Sequence, residues 1–185
     1  DDLLGGRDAG GFKGHFKELF KGRLTTGALK AIGGGLISFY VVSFFSENIF
    51  LQVLNALLVA LSINTFNLLD SRPGRAVKVF LILGAITYLF SVKSPIWHLW
   101  GIFLGAILVL FKAELAEEIM LGDAGSNILG AIIGLTFVVN FNWKVNCVIL
   151  VLLIFLQLFT EKHSLTKLIE SNKILRWFDE LGRRI

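Results

Sequence analysis

Long runs of leucine, isoleucine, valine and phenylalanine constrain this chain more than any other feature of its sequence. Of the 185 residues, 55% are hydrophobic and 17% are charged, and the mean hydropathy is +0.72. An apolar run of about 18 residues is long enough to cross the hydrocarbon core of a membrane as a helix. Strict alternation of apolar and polar residues is absent, which argues against a transmembrane barrel. The sequence therefore predicts an all-α, polytopic helical membrane bundle.

Hydropathy predicts about six transmembrane helices in a single membrane domain, residues 1–185. A cytoplasmic loop is expected over 1–25, the six helices over 26–160, and cytoplasmic loops near 69–75 and 112–123. The predicted spans are 26–46, 48–68, 76–91, 95–111, 124–141 and 143–160. The chain starts without an initiator methionine or a signal-peptide pattern, so an upstream part is expected to be missing and the isolated chain to be inactive.

Lysine and arginine predict the orientation, because these residues are retained in cytoplasmic loops. Sixteen of the eighteen fall on one predicted face, and only Lys93 and Lys144 fall on the other. The same face carries thirteen of the fourteen acidic residues. The formal net charge of +4 therefore reflects topology and does not indicate nucleic-acid binding.

The segment 161–185 is predicted to form a cytoplasmic amphipathic helix. Its apolar residues recur at helical spacing between charged ones. Trp177 is expected to lie at the depth of the lipid headgroups. Two positions for this helix remain open, on the membrane surface or against the cytoplasmic loops.

Glycine and cysteine are predicted to serve packing. Small residues let membrane helices approach closely, and seven glycines in the predicted spans fit that role: Gly33, Gly34, Gly35, Gly101, Gly105, Gly130 and Gly134. Cys147 is the only cysteine, so one chain can form neither a disulfide nor a multi-cysteine metal site.

Three polar clusters are predicted to converge on the cytoplasmic face. They are Asp1-Asp2 with the basic stretch through Lys17, the string Asn64-Thr-Phe-Asn67-Leu-Leu-Asp70, and the string Met120-Leu-Gly-Asp123-Ala-Gly-Ser126-Asn127. Carboxylates bind hard cations such as Mg²⁺, which takes further ligands from substrate phosphates. Lysine and arginine bind phosphate oxygens. This combination suits the handling of a phosphosugar.

Simpler roles explain the second and third clusters as well. The spacing of Asn64, Asn67 and Asp70 places all three on one side of a helix, but asparagine and aspartate also cap helices and form turns. In the third cluster, free backbone N–H groups at a helix start can bind an anion. The alternative is that Asp123 or Ser126 is simply the N-cap of that helix.

The order of the three motifs resembles the polyprenyl-phosphate N-acetylhexosamine-1-phosphate transferase superfamily. This family includes bacterial phospho-N-acetylmuramoyl-pentapeptide transferase and UDP-N-acetylglucosamine-1-phosphate transferases. The resemblance implies transfer of a sugar-1-phosphate from a UDP-sugar to polyprenyl phosphate, with release of UMP, for cell-wall or cell-surface polysaccharide synthesis. It implies a Mg²⁺ cofactor and the bacterial cytoplasmic membrane, and it leaves a homodimer open.

The resemblance also implies roles for individual residues. Asp123 would be the metal ligand and, with the acidic pair Asp1 and Asp2, would form the catalytic group; one of the pair would deprotonate the lipid phosphate. Asn67 and Asp70 would help bind the nucleotide or the metal, and Lys17 would bind phosphate. The motif residues Asn64 and Ser126, and the single His163, are further substrate-binding candidates. Arg72 and Arg75 are predicted from their position beside Asp70 to contact an anionic ligand, and a role as orientation charges alone is the alternative.

Three departures from the family pattern bear on substrate and activity. Asp70 is followed by Ser71 where the family has glycine, Ala113 stands where asparagine is expected, and the histidine-rich motif is reduced to His163 with its neighbours. The changed second motif and the reduced histidine motif favour UDP-N-acetylglucosamine or a similar sugar over the muramoyl pentapeptide, whereas Ala113 and the missing histidines fit a loss of activity. A noncatalytic membrane paralogue and a membrane transporter are the alternatives.

Overall fold

The structure is a computed structural model that describes residues 26–183. Within that range the chain forms eight helices and no strand, which confirms the all-α prediction. In chain order the helices are α1 Thr26–Val42, α2 Ile49–Leu69, α3 Arg75–Phe90, α4 Ile96–Leu115, α5 Gly122–Asn140, α6 Trp143–Lys162, α7 Leu165–Ser171 and α8 Lys173–Glu180.

Four of these helices, α2, α4, α5 and α6, are long and apolar enough to cross a membrane. Their exposed surfaces are apolar, as on α6, where Phe155 and Leu158 are largely uncovered. The described chain is therefore an all-helical protein of membrane type. The helices α1 and α3 are shorter, with 17 and 16 residues, so the count of six spans stays a prediction.

Successive long helices run in opposite directions, so polar groups from distant parts of the sequence collect at one end. At this end α2 and α4 finish and α3 and α5 begin, joined by the loops 70–74 and 116–121. We call it the acidic end, because it carries Asp70, Glu114 and Asp123.

The closest helix contact joins α2 to α5. A Cβ atom added at Gly130 would lie 2.5 Å from the Cα of Ile63, and one at Gly134 would lie 2.8 Å from the Cα of Val59. Backbone therefore packs on backbone, as small residues allow in membrane bundles. The other five glycines of the predicted set have no such neighbour in the described chain.

An aromatic stack joins α3, α4 and α5. Trp100 stacks on Phe80 with ring centroids 4.1 Å apart, and its indole N–H donates to the Thr136 hydroxyl at 2.8 Å. Gly84 provides the space, since a Cβ there would lie 2.2 Å from the Trp100 ring. The buried indole N–H thus has a hydrogen-bond partner, as is usual for buried tryptophan.

The structure divides the predicted C-terminal amphipathic helix into two short helices. α7 and α8 are separated by Asn172, whose side-chain oxygen accepts from the backbone N–H groups of Ile174 and Leu175 at 3.0 and 3.2 Å. Asparagine favours this capping role over a place inside a helix. Of the two positions left open by the sequence, docking against the loops is observed, because the tail bonds to the loop 70–74 and to α3.

We expect Gly130→Ala to destabilise the bundle by about 1–3 kcal/mol, because the added methyl group meets the backbone of α2 and that backbone cannot move aside. The matched control is Gly105→Ala on α4, where nothing lies within 4 Å of the new Cβ. Thermal unfolding of both variants in detergent tests the contact. Equal melting temperatures for the two variants would contradict it.

Candidate functional site at the acidic end

Asp70 ends α2 and is the centre of the candidate site. Its backbone N–H completes the last turn of the helix by donating to the Phe66 carbonyl at 3.0 Å. Its side chain accepts from the backbone N–H of Gly122, at the start of α5. The Oδ1 atom, however, is buried and has no hydrogen-bond partner among the described residues. A buried oxygen left without a partner costs free energy, which points to a ligand at this position.

The pKa of Asp70, which lies just beyond the α2 span, is raised from 3.8 to about 6. Burial is the largest cause, and the negative charge of Glu114 adds to it. The hydrogen bond from Gly122 acts in the opposite direction, and the charge of Asp123 raises the pKa further. Desolvated carboxylates that repel one another are typical of sites that bind a cation or move a proton.

Glu114 is fully buried near the end of α4 and joins the two loops of the acidic end. Its Oε2 accepts from the Gly74 N–H at 3.2 Å, and its Oε1 accepts from the Leu121 N–H at 2.8 Å. Gly74 adopts φ +75°, a conformation that favours glycine. Since backbone N–H groups occupy both oxygens, Glu114 positions the loops. The sequence prediction missed it, although a single acid near the end of an apolar span was the available signal.

Asp123 and Ser126 open α5 beside the end of α2. Asp123 lies in the first helical turn, where free N–H groups favour negative charge, and its charge is felt by Asp70. Ser126 is fully buried; its hydroxyl donates to the Gly122 carbonyl at 2.9 Å and lies 3.4 Å from Oδ1 of Asn67. The structure therefore brings the second and third sequence motifs together.

Asn64, the first residue of the second motif, bonds between helices. Its amide donates to Gln157 on α6 at 2.7 Å, and Gln157 donates in turn to the Thr65 hydroxyl at 3.0 Å. Such bonds tie membrane helices together. The structure thus gives Asn64 a packing partner, and its predicted contact with substrate stays a prediction.

The two arginines expected to bind an anionic ligand have different surroundings. Arg72 pairs with Glu170 at 3.1 Å, and both side chains are about half exposed, at 50% and 48%. Arg75 is buried and binds both oxygens of Asp179, at 2.6 and 2.9 Å. Of these two arginines, Arg72 is the one whose side chain is open to solvent.

Asp179 lies at the centre of a compact charge cluster that holds the tail on α3. Besides Arg75, its carboxylate pairs with Arg183, and its backbone carbonyl accepts from the Lys78 ammonium at 2.7 Å. Burial opposes ionisation of Asp179, but the bonds from the two arginines outweigh it, so its pKa lies below the ordinary value. We call these four residues the Asp179 cluster. No pattern in the sequence had identified this pairing.

The remaining predicted site residues lie apart from Asp70 or outside the described range. His163 is exposed at the end of α6, with its ring centroid 4.8 Å from that of Phe159. It lines a groove of about 390 Å³ together with Lys162 and Lys167. Asp1, Asp2 and Lys17 lie outside residues 26–183.

The acidic end offers oxygen atoms of the kind that hard cations bind. Asp70 and Asp123 supply carboxylates, and Asn67 supplies an amide oxygen. Among residues 26–183 no group of three or more histidine, cysteine, aspartate or glutamate side chains could hold a metal ion. Mg²⁺ commonly takes one or two carboxylates and fills its other positions with water and substrate phosphates. The Oδ1 atom of Asp70, which no described residue bonds, is consistent with that mode of binding.

We expect Asp70→Asn to stabilise the metal-free protein at neutral pH. The folded state raises the pKa of Asp70 to about 6, so wild-type stability falls as the pH rises from about 4 to 6, and the asparagine variant lacks this loss. After allowance for solvent screening the gain is about 1 kcal/mol above pH 6. Thermal unfolding with a chelator present, from pH 4 to 8, measures it. A difference between variant and wild type that does not change with pH would contradict the assignment, and Glu118→Gln is the exposed control.

We expect Asp179→Asn to release the C-terminal tail, because Arg75 and Arg183 would lose the carboxylate that pairs with them. Removing one partner of a buried ion pair costs about 3–5 kcal/mol. Hydrogen exchange of α8 and limited proteolysis after α6 report the release. Glu180→Gln is the matched control, since Glu180 pairs with Arg176 on the exposed side at 3.5 Å. Equal protection in both variants would show that the cluster does not hold the tail.

Comparison with known proteins identifies no relative for this chain. No model of a protein family, no curated protein and no solved structure matches it. The function proposed below therefore rests on the motif resemblance stated above and on the geometry of the acidic end.

Proposed function

We propose that the protein transfers a sugar-1-phosphate from a UDP-sugar to polyprenyl phosphate, giving a polyprenyl-diphosphate-sugar and UMP. The favoured substrate is UDP-N-acetylglucosamine, and the product would serve cell-wall or cell-surface polysaccharide synthesis. One observation carries the proposal. Asp70, which has a raised pKa and a buried oxygen without a hydrogen-bond partner among residues 26–183, lies beside the start of the helix that bears Asp123.

The pairing of Asp70 with Asp123 supports a site for a cation and phosphates. Two acids from different helices approach closely enough for one charge to raise the pKa of the other. Such an arrangement repels itself in the absence of a cation. Bound Mg²⁺ would neutralise the carboxylates and stabilise the charge that develops on the diphosphate during transfer. In this proposal Asp123 is the main metal ligand, and Asp70 and Asn67 complete the protein's share.

Other residues of the chain have positioning roles in the proposal. Ser126 links the start of α5 to Asn67 and so fixes the relative position of the two motifs. Glu114 holds the backbone of both flanking loops. The acidic pair Asp1 and Asp2 would deprotonate the lipid phosphate, a role that rests on the family resemblance alone.

Arg72 and Arg75 divide the work that the sequence assigned to both. A half-exposed ion pair contributes little to stability, so Arg72 can leave Glu170 and bind a phosphate oxygen at small cost. Arg75 is held by Asp179 and also donates to the Ser71 hydroxyl at 2.9 Å, next to Asp70. In the proposal Arg72 contacts substrate, and Arg75 holds the loop in place.

The proposal includes six membrane spans with the acidic end in the cytoplasm of a bacterial cell. α1 and α3 would be spans in addition to the four longer helices, and their short length is compatible with a bundle that thins the bilayer locally. The basic residues that predicted this orientation include Arg72, Arg75 and Lys78, all at the acidic end. UDP-sugars and the lipid phosphate would then meet at one membrane surface.

The position of the acids disfavours a transporter. Transport sites usually place ionisable groups near the midplane at broken helices. Here Asp70 follows the last residue of α2, Glu114 is the penultimate residue of α4, and Asp123 is the second residue of α5. A noncatalytic paralogue is distinguished from the enzyme by an assay of activity.

We expect Asp123→Asn to reduce transfer by orders of magnitude while leaving the fold intact. The variant keeps the size of the side chain and removes the charge that binds the cation. UMP release from UDP-N-acetylglucosamine and polyprenyl phosphate by the protein is the measurement. The matched control, Glu118→Gln, removes an exposed acid from the neighbouring loop and should keep activity. Full activity of Asp123→Asn would refute the assignment.

The same pair of variants gives a second readout that does not depend on activity. Mg²⁺ should raise the melting temperature of wild type and of Glu118→Gln, because binding to the folded state stabilises it. Asp123→Asn should lose that increase. An increase of equal size in all three proteins would place the cation elsewhere.

A further inference from the structure

The C-terminal helix α8 has three distinct sides, of which the Asp179 cluster accounts for only one. Asp179 is buried against α3, and Phe178 lies next to it, half-buried, with its backbone carbonyl 3.3 Å from the Lys78 ammonium. The turn after the helix packs on α4, since a Cβ at Gly182 would lie 3.3 Å from the Leu115 side chain. These contacts fix the rotation of α8 about its own axis.

The docking contacts also fix where α8 lies. Arg75 and Lys78 are in the first turn of α3, and Leu115 is the last residue of α4. Both positions are ends of helices in the membrane-type bundle. α8 therefore lies at the edge of the bundle, at the level where spans leave the hydrocarbon.

A second side of α8 is apolar and uncovered. Ile174, Trp177 and Leu181 are 76%, 64% and 48% exposed. Their spacing of three and four residues places them within about 60° of one another around the helix. Large apolar side chains grouped on an exposed surface mark a contact that the described chain does not supply.

The third side of α8 is charged and lies between the docked side and the apolar one. It carries Lys173, Arg176 and Glu180, and the last two form an exposed ion pair. At about 100° per residue, the apolar side lies nearly opposite Asp179 on the helix, and the charged side lies about 90° from each of them. A helix at a membrane edge has this arrangement when one flank faces lipid and the other faces water.

We propose that the side of α8 formed by Ile174, Trp177 and Leu181 inserts into the headgroup region of the membrane, with Lys173 and Arg176 next to anionic lipid headgroups. The membrane is the occupant that the geometry favours, because the turn after α8 packs on the end of α4, a helix long and apolar enough to cross a membrane. Tryptophan is enriched at this depth, and basic residues are attracted to an anionic leaflet. The helix thus binds the bundle with one side and the lipid surface with another.

Spin labels on single cysteines test the proposal in the protein reconstituted into nanodiscs of phosphatidylcholine and phosphatidylglycerol. The background carries Cys147→Ser, and labels are placed at Ile174, Trp177 or Leu181, with Arg176 and Glu180 as matched positions on the charged side. We expect the three apolar positions to collide more with oxygen, which concentrates in lipid, and less with a water-soluble nickel complex. The two charged positions should show the reverse.

Two other results would overturn the proposal. Equal nickel accessibility on both sides of α8 would mean that the apolar side faces water. Protection of the apolar positions from both reagents would mean that protein covers them, either a second copy or another part of the chain.

The charge of the headgroups provides an independent measurement. When Lys173 and Arg176 are both present, the oxygen accessibility of the label at Leu181 should be higher in nanodiscs that contain phosphatidylglycerol. In the double variant Lys173→Gln with Arg176→Gln, this accessibility should be the same with and without phosphatidylglycerol. If phosphatidylglycerol does not change the oxygen accessibility of this label while Lys173 and Arg176 are present, the proposed contact with anionic headgroups is wrong.

Discussion

The buried carboxylate of Glu114 organises the acidic end of this protein. Its two oxygens accept backbone N–H groups from the loop before α3 and from the loop before α5, more than 40 residues apart in sequence. A buried charge is tolerated only when such bonds satisfy it. Because the two loops follow Asp70 and precede Asp123, this single side chain holds both motifs in register. Its charge also raises the pKa of Asp70.

The acidic end therefore contains more negative charge than stability alone would favour. Within the part of the chain that the structure describes, Asp70 has a buried oxygen without a hydrogen-bond partner, and its neighbours are two further acids. Natural proteins tolerate such costs where a site must bind a charged ligand, because a ligand that neutralises the site recovers the lost free energy. The Asp179 cluster has the opposite character, since its cations and its carboxylate satisfy one another. The first arrangement suits a binding site and the second a structural joint.

The helical class and most helix positions could be predicted from sequence, because apolar runs of sufficient length have few alternatives in a membrane. The predicted span 48–68 corresponds to α2, and 143–160 corresponds to α6. The predicted span 26–46 extends beyond α1, because the backbone turns after Val42 although Phe44 and Phe45 continue the apolar run. Hydropathy measures the affinity of side chains for lipid and does not report a turn in the backbone.

The candidate site was predictable only in part. The spacing of Asn67 and Asp70, and the glycines around Asp123, identified residues that the structure brings together. The partners of Arg75 and of Asn64 could not be found in this way, because they lie about 100 and 90 residues away and depend on how the helices pack. Glu114 was missed for a related reason. The sequence signals only that an acid lies near the end of an apolar span, and it does not show which backbone groups that carboxylate binds.

The backbone contact of Gly130 and Gly134 with α2 has a consequence for how this chain can vary. Asp70 stands at the end of one helix of that pair and Asp123 at the start of the other, so the two acids belong to one rigid body. One residue inserted between Val59 and Asp70 would turn that carboxylate by about 100° about the helix axis. Lengths of the segments between the glycine contact and the two acids are therefore fixed together.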